Sequence, residues 1–383
     1  MHSEHSTTSV SRYAMSSLHH LTSTALSPMQ ALLLYSNIHS VSSNEESGSR
    51  YLQLNGHQGE VFMCLWSPSQ QQLASGSADG MCRLWGLSEM TQERWESKES
   101  EVRLTTAILP HLMGEGELHK DVTSVTWSPD GKFLATGCYD GMARIWDNQG
   151  KLVSHLRVHT GPVFSMKWNK LGNYLLSGSY DRRAVIWNAL TGEMYKSFGM
   201  HSGPVLDVDW KDSEIFATCS SDRTIYICRV EDPSPLRALE GHSDEVNAVC
   251  WSPGGALLAS CSDDNTAKIW SLEDGLRFDL KGHLKEIFTI KWTPTGEGSV
   301  NPDKPLLLCT ASFDGTVKVS CSSGISDTDK CCVVLSSPHL SSPHLSSCVS
   351  LEKVWSGLTG ELVSNLCRQV QPVYSLSPSP NGE

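Results

Sequence analysis

The chain has no apolar run of transmembrane length, and its start, MHSEHSTTSVSRYAMSS, lacks the charged head and apolar core of a secretory signal. It has no CxxC pair at zinc spacing, no phosphate-cradling glycine loop and no nucleotide fingerprint, so neither a metal nor a cofactor is expected. Positive charge is scarce: 30 Lys and Arg face 42 Asp and Glu, for a formal net charge of −12. Gripping nucleic-acid phosphate needs clustered Lys and Arg, which argues against direct nucleic-acid binding as the main role. The acidity permits a basic protein partner such as a histone tail, while the simpler account is solubility together with the turn aspartates. Thirteen cysteines are present. Most sit in apolar strand-like runs, where a thiol behaves as a small hydrophobe, and adjacent Cys331 and Cys332 do not make a usual chelate. On these grounds the chain reads as a protein of cytosol or nucleus.

What is present is repetition. A His precedes an extended apolar segment ending in Trp; a Ser-rich strand, an Asp turn and another Trp follow. The turn aspartates are Asp79, Asp140, Asp181, Asp222, Asp264 and Asp314. Six residues after the first five stand Trp85, Trp146, Trp187, Cys228 and Trp270. The histidines assigned to the units are His57, His119, His159, His201, His242 and His283, spaced by 40, 42, 41 and 41 from His119 onward. A fixed period near 41 residues with this grammar is the signature of WD40 repeats, four short strands per unit. The expected fold class is therefore all-β, a WD40 β-propeller with six recognisable blades and the start of a seventh. No blade buries its own faces alone, so residues 51–383 are expected to form one propeller.

Residues 1–50, rich in Ser, Thr and His, read as a disordered N-terminal segment. A polar surface insert at 89–118 explains why His57 and His119 are 62 apart, and its end, RLTTAILP, reads as an outer strand. In blade six, residue 320 is Ser where Trp is due, and Trp355 follows Asp314 by 41. Removing 35 residues restores the spacing, and Lys318-Val319 recurs as Lys353-Val354. The stretch at about 320–353, which repeats SSPHL and shows neither strand nor helix periodicity, therefore reads as non-propeller sequence: translated intron, recent insertion or a looped-out tongue. QPVYSLSPSPNGE begins a seventh blade with Gln369 at the His position, and the pattern is expected to run on beyond Glu383.

Ser, His and Asp invite a catalytic reading. A set repeated in blade after blade is instead a buried hydrogen-bond chain, so no catalytic residue and no enzyme activity are expected. In it, the Asp orders the His, the His contacts a Ser or Thr (Ser75 or Ser77 in blade one), and that hydroxyl reaches the indole N–H. The spacing to Trp270 selects Asp264 over Asp263. The first-strand tryptophans Trp66, Trp127, Trp168, Trp210, Trp251 and Trp292 read as packing residues between blades. The candidate partner-binding rim consists of Phe62, Tyr139, Phe164, Tyr180, Phe288 and Phe313 (with Tyr374 in the seventh blade), joined by the acidic Glu60, Asp121, Glu245 and Glu286. Exposed aromatics beside carboxylates suit a peptide carrying Lys or Arg; the alternative is that several aromatics simply pad the channel mouth.

Certain runs go beyond generic WD40 sequence: KDVTSVTWSPDGKFLATGCYDGMARIW, HSGPVLDVDW, FATCSSDRTIYIC, GHSDEVNAVCWSPGGALLASCSDDNTAKIW and HLKEIFTIKWTPTGEGSVNPDKPLLLCTASFDGTVKV. Together with the long insert after blade one, the Cys-ended fourth blade and the NPDKPLLL extension in blade six, they resemble the transducin β-like 1 family of F-box-like/WD repeat corepressor subunits. The resemblance covers roughly 54–319 and 354–383. It implies an eight-bladed propeller without a catalytic centre in a nuclear corepressor assembly. The partners it implies are a corepressor scaffold, a histone deacetylase, histone tails and ubiquitin ligase components. The family's N-terminal oligomerisation module is not visible in residues 1–50, and its last blades are absent. Alternatives are a substrate receptor or cytoplasmic scaffold of another WD40 class, or a truncated, non-functional product.

Overall fold

The computed structural model describes residues 54–68, 72–86, 105–111, 121–314, 317–320, 332–334, 353–354, 364–366 and 376–378. The expected N-terminal segment 1–50, most of the insert 89–118, most of 320–353, His119, Gln369 and Tyr374 lie outside the described residues.

Every described regular element is a β-strand. Blade one is β1 (Val61–Trp66), β2 (Gln72–Ser77), β3 (Met81–Gly86) and β4 (Thr105–Pro110). Blade two is β5 (Val122–Trp127), β6 (Phe133–Cys138), β7 (Ala143–Asp147) and β8 (Leu152–Leu156). Blade three is β9 (Val163–Trp168), β10 (Tyr174–Ser179), β11 (Ala184–Asn188) and β12 (Met194–Phe198). Blade four is β13 (Val205–Trp210), β14 (Ile215–Ser220), β15 (Ile225–Arg229) and β16 (Arg237–Leu239). Blade five is β17 (Val246–Trp251), β18 (Leu257–Ser262), β19 (Thr266–Ser271) and β20 (Gly275–Lys281). In each the strands hydrogen-bond in chain order, as a four-stranded meander. β4 is the outer strand expected in RLTTAILP.

Burial follows position in the sheet. All six residues of β5 are buried, whereas β8 alternates between intermediate and exposed before ending in buried Leu156. A strand covered on both faces takes apolar and small residues throughout, while one wetted on a face alternates. The described residues pack as two units, 57–249 and 250–383. Within the first, apolar residues from several strands of one blade pack against the first strand of the next. Met63, Leu65 and Leu84 pack with Val122, Val125 and Trp127. Ala135, Ile145 and Leu156 pack with Val163, Met166 and Trp168. Leu176, Ile186 and Phe198 pack with Val205, Val208 and Trp210.

Four of the tryptophans that end first strands also hydrogen-bond to the first strand of the preceding blade. Trp127 Nε1 donates to the Leu65 carbonyl (3.2 Å), Trp168 to Thr126 (3.2 Å) and Trp210 to Lys167 (3.0 Å). In the second unit Trp292 donates to Cys250 (2.9 Å). An indole is thus spent on packing and on satisfying a carbonyl at once.

Two bulges recur. Between first and second strands the register skips one residue, at Phe62, Thr123, Phe164, Leu206 and Phe288. Between third and fourth strands it shifts at Trp85, Trp146, Trp187 and Trp270. Blade four has Cys228 in place of the indole. There β16 is only three residues long, its pairing stops at Ile227–Arg237, and the second bulge does not occur.

The second unit contains β21 (Ile287–Trp292), β22 (Leu308–Ser312) and β23 (Val317–Ser320) of blade six, then β24 (Cys332–Val334), β25 (Lys353–Val354), β26 (Ser364–Leu366) and β27 (Leu376–Pro378). Ser320 pairs with Leu308, the register slot that Trp85 takes opposite Leu73 and Trp187 opposite Leu175. Two features differ from the sequence expectation. Lys353-Val354 does not replace Lys318-Val319 but runs parallel beside it, so both copies of the dipeptide lie in one sheet. The segment expected to be without strands contributes β24, which pairs antiparallel with β27. Cys332-Val333-Val334 has strand-forming side chains, but a run this short carries no readable period.

The close seam between blades leaves no room for a side chain at Gly178, where an added Cβ would lie 2.8 Å from Val205 Cγ1 and 3.1 Å from Val208 Cγ1. Gly178→Ala is expected to destabilise the chain by about 1–3 kcal/mol through overpacking; urea denaturation followed by tryptophan fluorescence measures it.

Candidate functional site

Two sets of residues stand out: the repeated polar chain, and the rim beside its turns. In blade one His57 Nδ1 lies 3.0 Å from Asp79 Oδ2, and His57 Nε2 lies 2.7 Å from Ser75 Oγ. Trp85 Nε1 donates to the same Oγ at 2.8 Å. Ser75, not Ser77, is the linking hydroxyl; Ser77 Oγ instead accepts the Asp79 amide. Blade three repeats the set with His159–Asp181 at 2.8 Å, His159–Ser177 at 2.8 Å and Trp187–Ser177 at 2.8 Å. Blade six has His283–Asp314 at 3.0 Å and His283–Thr310 at 2.8 Å. In blade five Trp270 donates to Ser260 (2.8 Å), and Asp264 Oδ1 accepts the Thr266 amide and hydroxyl. His242 is buried.

The chemistry of each set follows from donor accounting. An ionised Asp only accepts, so the His donates from Nδ1 and presents Nε2 as an acceptor. The Ser or Thr hydroxyl must then donate to Nε2 and accept from the indole. Both of its roles are taken, and Ser75, Ser177, Thr218 and Thr310 are all buried. Each Asp closes its own turn as well: Asp181 Oδ2 also accepts the Thr160 amide (3.1 Å) and Oδ1 the Arg183 amide (3.0 Å). Burial pushes these carboxyls up, but the histidine and the amides outweigh it and hold Asp79 and Asp181 below the usual range and Asp222 at about 2. Burial pulls the His57 imidazole down, against the opposing pull of Asp79.

Blade four keeps His201–Asp222 (2.9 Å) and His201–Thr218 (2.8 Å), but Cys228 cannot reproduce the indole donor. The thiol is buried 3.8 Å from the Met200 sulfur, and the Tyr226 ring lies 4.7 Å from the His201 ring.

Blade two departs most, and here the sequence assignment needs correction. His119 lies outside the described residues, and His111 holds the position over Thr136. His111 Nε2 is 2.7 Å from Thr136 Oγ1, which also accepts Trp146 Nε1 at 2.9 Å. His111 Nδ1 meets the Leu109 carbonyl at 3.0 Å, not Asp140. Asp140 Oδ2 accepts the buried Arg144 guanidinium at 3.1 Å. His111 follows β4 directly, so it enters from blade one's outer strand rather than from the loop before β5. The near-constant spacing from His119 onward hid it; the only signal in the sequence was a His immediately after a predicted outer strand.

The rim is set by a second recurring bond, in which the residue before each turn Asp donates its amide to the loop that enters the first strand. Ala78 donates to Glu60 (2.9 Å), Tyr139 to Asp121 (2.9 Å), Tyr180 to Pro162 (2.9 Å) and Phe313 to Glu286 (3.0 Å). These backbone pairs put Tyr139 beside Asp121, and Phe313 beside Glu286. Burial pushes the Tyr139 phenol up, and the Asp121 charge adds to it. Tyr180 is exposed, and Phe62, Tyr139, Phe313, Asp121, Glu245 and Glu286 are half-buried, with Glu60 exposed. Phe164 and Phe288 do not fit the expected role of exposed anchors, being 1% and 2% exposed. Each is the residue skipped at the first bulge, which re-aims a side chain that simple alternation would place outward. They buttress instead: Phe164 meets Tyr180 edge-on at 6.3 Å, and Phe288 meets Phe313 at 4.8 Å.

The family model for the WD domain, G-beta repeat, matches residues 48–86, 113–147, 150–188, 192–228, 233–271 and 275–319. The chain belongs to the WD40 repeat family. It is 42% identical over 86% of its length to the WD40 repeat-containing protein HOS15 of Arabidopsis thaliana, of which it covers 48%. It is likewise 42% identical over 86% of its length to the F-box-like/WD repeat-containing protein TBL1X of Mus musculus, covering 55% of it. These are transducin β-like WD repeat proteins, and the chain spans about half the length of each. Among solved structures, the C-terminal WD40 domain of Sif2 matches with a TM-score of 0.57 at 25% identity, covering 69% of this chain and 70% of that one.

His111 supplies a test. Burial first, and the Arg144 charge second, pull its imidazole down to about 3. A base with a lowered folded pKa contributes stability that is present above the unfolded value of about 6.5 and is lost as pH falls towards the folded one. The depressed carboxyls add a loss between about pH 4 and 2. The melting temperature is therefore expected to fall as pH drops below about 6.5. His111→Ala is expected to cost about 2 kcal/mol at neutral pH and to flatten that slope, with little change from His119→Ala. A loss confined to the His119 variant would restore the assignment made from spacing.

Proposed function

We propose that this chain is a non-catalytic interaction scaffold of a nuclear transcriptional corepressor assembly containing a histone deacetylase. The observation that carries the reading is the 42% identity over 86% of the chain to HOS15 and TBL1X. The polar chains support it. Near-identical His–Asp and His–hydroxyl distances in blades one, three, four and six make those groups scaffolding, with hydroxyls that are already committed and buried. A triad at work needs an accessible nucleophile beside its base.

The rim is where a partner would sit. Tyr139 and Tyr180 supply aromatic surface, Asp121 supplies negative charge beside Tyr139, and Glu60 holds the equivalent position in blade one, a set that suits a histone tail through cation–π and charge attraction. In this reading the corepressor scaffold and the ubiquitin ligase components are further partners, and the location is the nucleus. The tagged full chain is expected to recover deacetylase activity from nuclear extract, and a capture with none refutes the assembly. Replacing Tyr139 and Tyr180 together by Ala is expected to weaken binding of a lysine-rich histone-tail peptide about tenfold without lowering the melting temperature.

A further inference from the structure

In the residue after each of the first five turn aspartates the backbone takes a left-handed conformation. Gly80 (φ 72) and Gly141 (φ 80) adopt it freely, and Asn265 (φ 67) with moderate ease. Blades three and four use arginine instead, Arg182 (φ 71) and Arg223 (φ 73). A long β-carbon-bearing side chain is a costly choice at such a position, and strain of this kind is kept where surrounding structure and function demand it. Arg182 lines an open cleft of about 480 Å³ together with Thr160, Gly161, Tyr180, Asp181, Ser202 and Pro204.

The formal charges of Arg182 and Asp181 balance in that cleft, but its hydrogen-bond accounting leaves donors over. Its carboxylate, Asp181, is committed to His159 and to the Thr160 and Arg183 amides. The neighbouring Asp222 is committed to His201 and to the Ser202 amide (2.8 Å). The Arg182 guanidinium is exposed and forms no ion pair with any described residue, and the Thr160 and Ser202 hydroxyls donate to none. Two residues with uncommitted hydroxyls and an exposed cation therefore line one cleft with an exposed tyrosine, and no acceptor among the described residues meets them. The formal net charge is −12, so the long-range field repels anions, and an anion held here is held by this local geometry.

We propose that this cleft between the turns of blades three and four binds an anionic side chain, phosphate or carboxylate, on a peptide segment of a partner protein. Arg182 supplies the charge, Thr160 and Ser202 the hydrogen bonds, and Tyr180 the wall against which the peptide lies. The site shares Tyr180 with the candidate rim but differs in chemistry from the acidic, cation-seeking surface around Tyr139 and Asp121, and it stands whether or not the corepressor reading does.

The test uses the full chain and a short fluorescein-labelled Gly-Ser peptide in three forms, carrying one phosphoserine, one glutamate or plain serine, read by fluorescence polarisation. At least one anionic form is expected to bind about tenfold more tightly than plain serine, and the phosphoserine and glutamate arms separate phosphate from carboxylate recognition. R182G relieves the backbone strain, so its melting temperature is expected to equal or exceed that of the wild type while the tenfold preference disappears. R223G removes an equal charge one blade away and is expected to retain the preference. Equal binding of all three peptides, an undiminished preference in R182G, or an equal loss in R223G overturns the proposal.

Discussion

The constraint on which the rest of the structure depends is the cost of burying the repeated polar groups at the blade seams unpaired. Each first strand is covered on both faces, so its neighbours must be small, apolar or fully paired. The His–hydroxyl–indole chain meets that demand by using each donor and acceptor once, and the Asp meets it by capping the turn and the histidine together. A half-satisfied version would cost more than an apolar core. This is why departures come with compensation. Where Cys228 removes the indole, the outer strand shortens and sulfur and tyrosine fill the gap. Where the blade-two His does not reach Asp140, a buried arginine takes the carboxylate instead.

Much of this was legible in the sequence because it is periodic. The six-residue step from turn Asp to Trp fixes the register of second and third strands, and it also locates the slot that Ser320 occupies without an indole. Two things were not legible. His111 reaches Thr136 from the preceding blade's outer strand, and a period measured within units cannot show a residue supplied by a neighbour. The bulge at Phe164 and Phe288 shifts side-chain direction by one position, and strict alternation then assigns an outward face to residues that the fold buries.

The corrected rim is smaller and more particular than the sequence suggested. Two of its aromatics are supports, and Tyr139 and Tyr180 are the ones in blades two and three that reach the surface. They occupy the position immediately before the turn Asp, where the amide bond to the entering loop fixes the backbone while the side chain stays unconstrained by the polar chain. Recognition can vary there without disturbing the scaffold, as expected for a fold that carries many functions on one framework.

The same logic explains why the turn Asp matters for binding although it binds nothing itself. By taking the histidine and two amides it commits its lone pairs inward while staying ionised. Side chains on either side of it then give each turn its surface character, aromatic before it in blades two, three and six and cationic after it in blades three and four. A carboxylate with free lone pairs at that point would accept from the Arg182 guanidinium and use up the donors an incoming anion needs. The scaffold and the surface are therefore coupled through one group: pairing Asp181 inward is what leaves the arginine available outward.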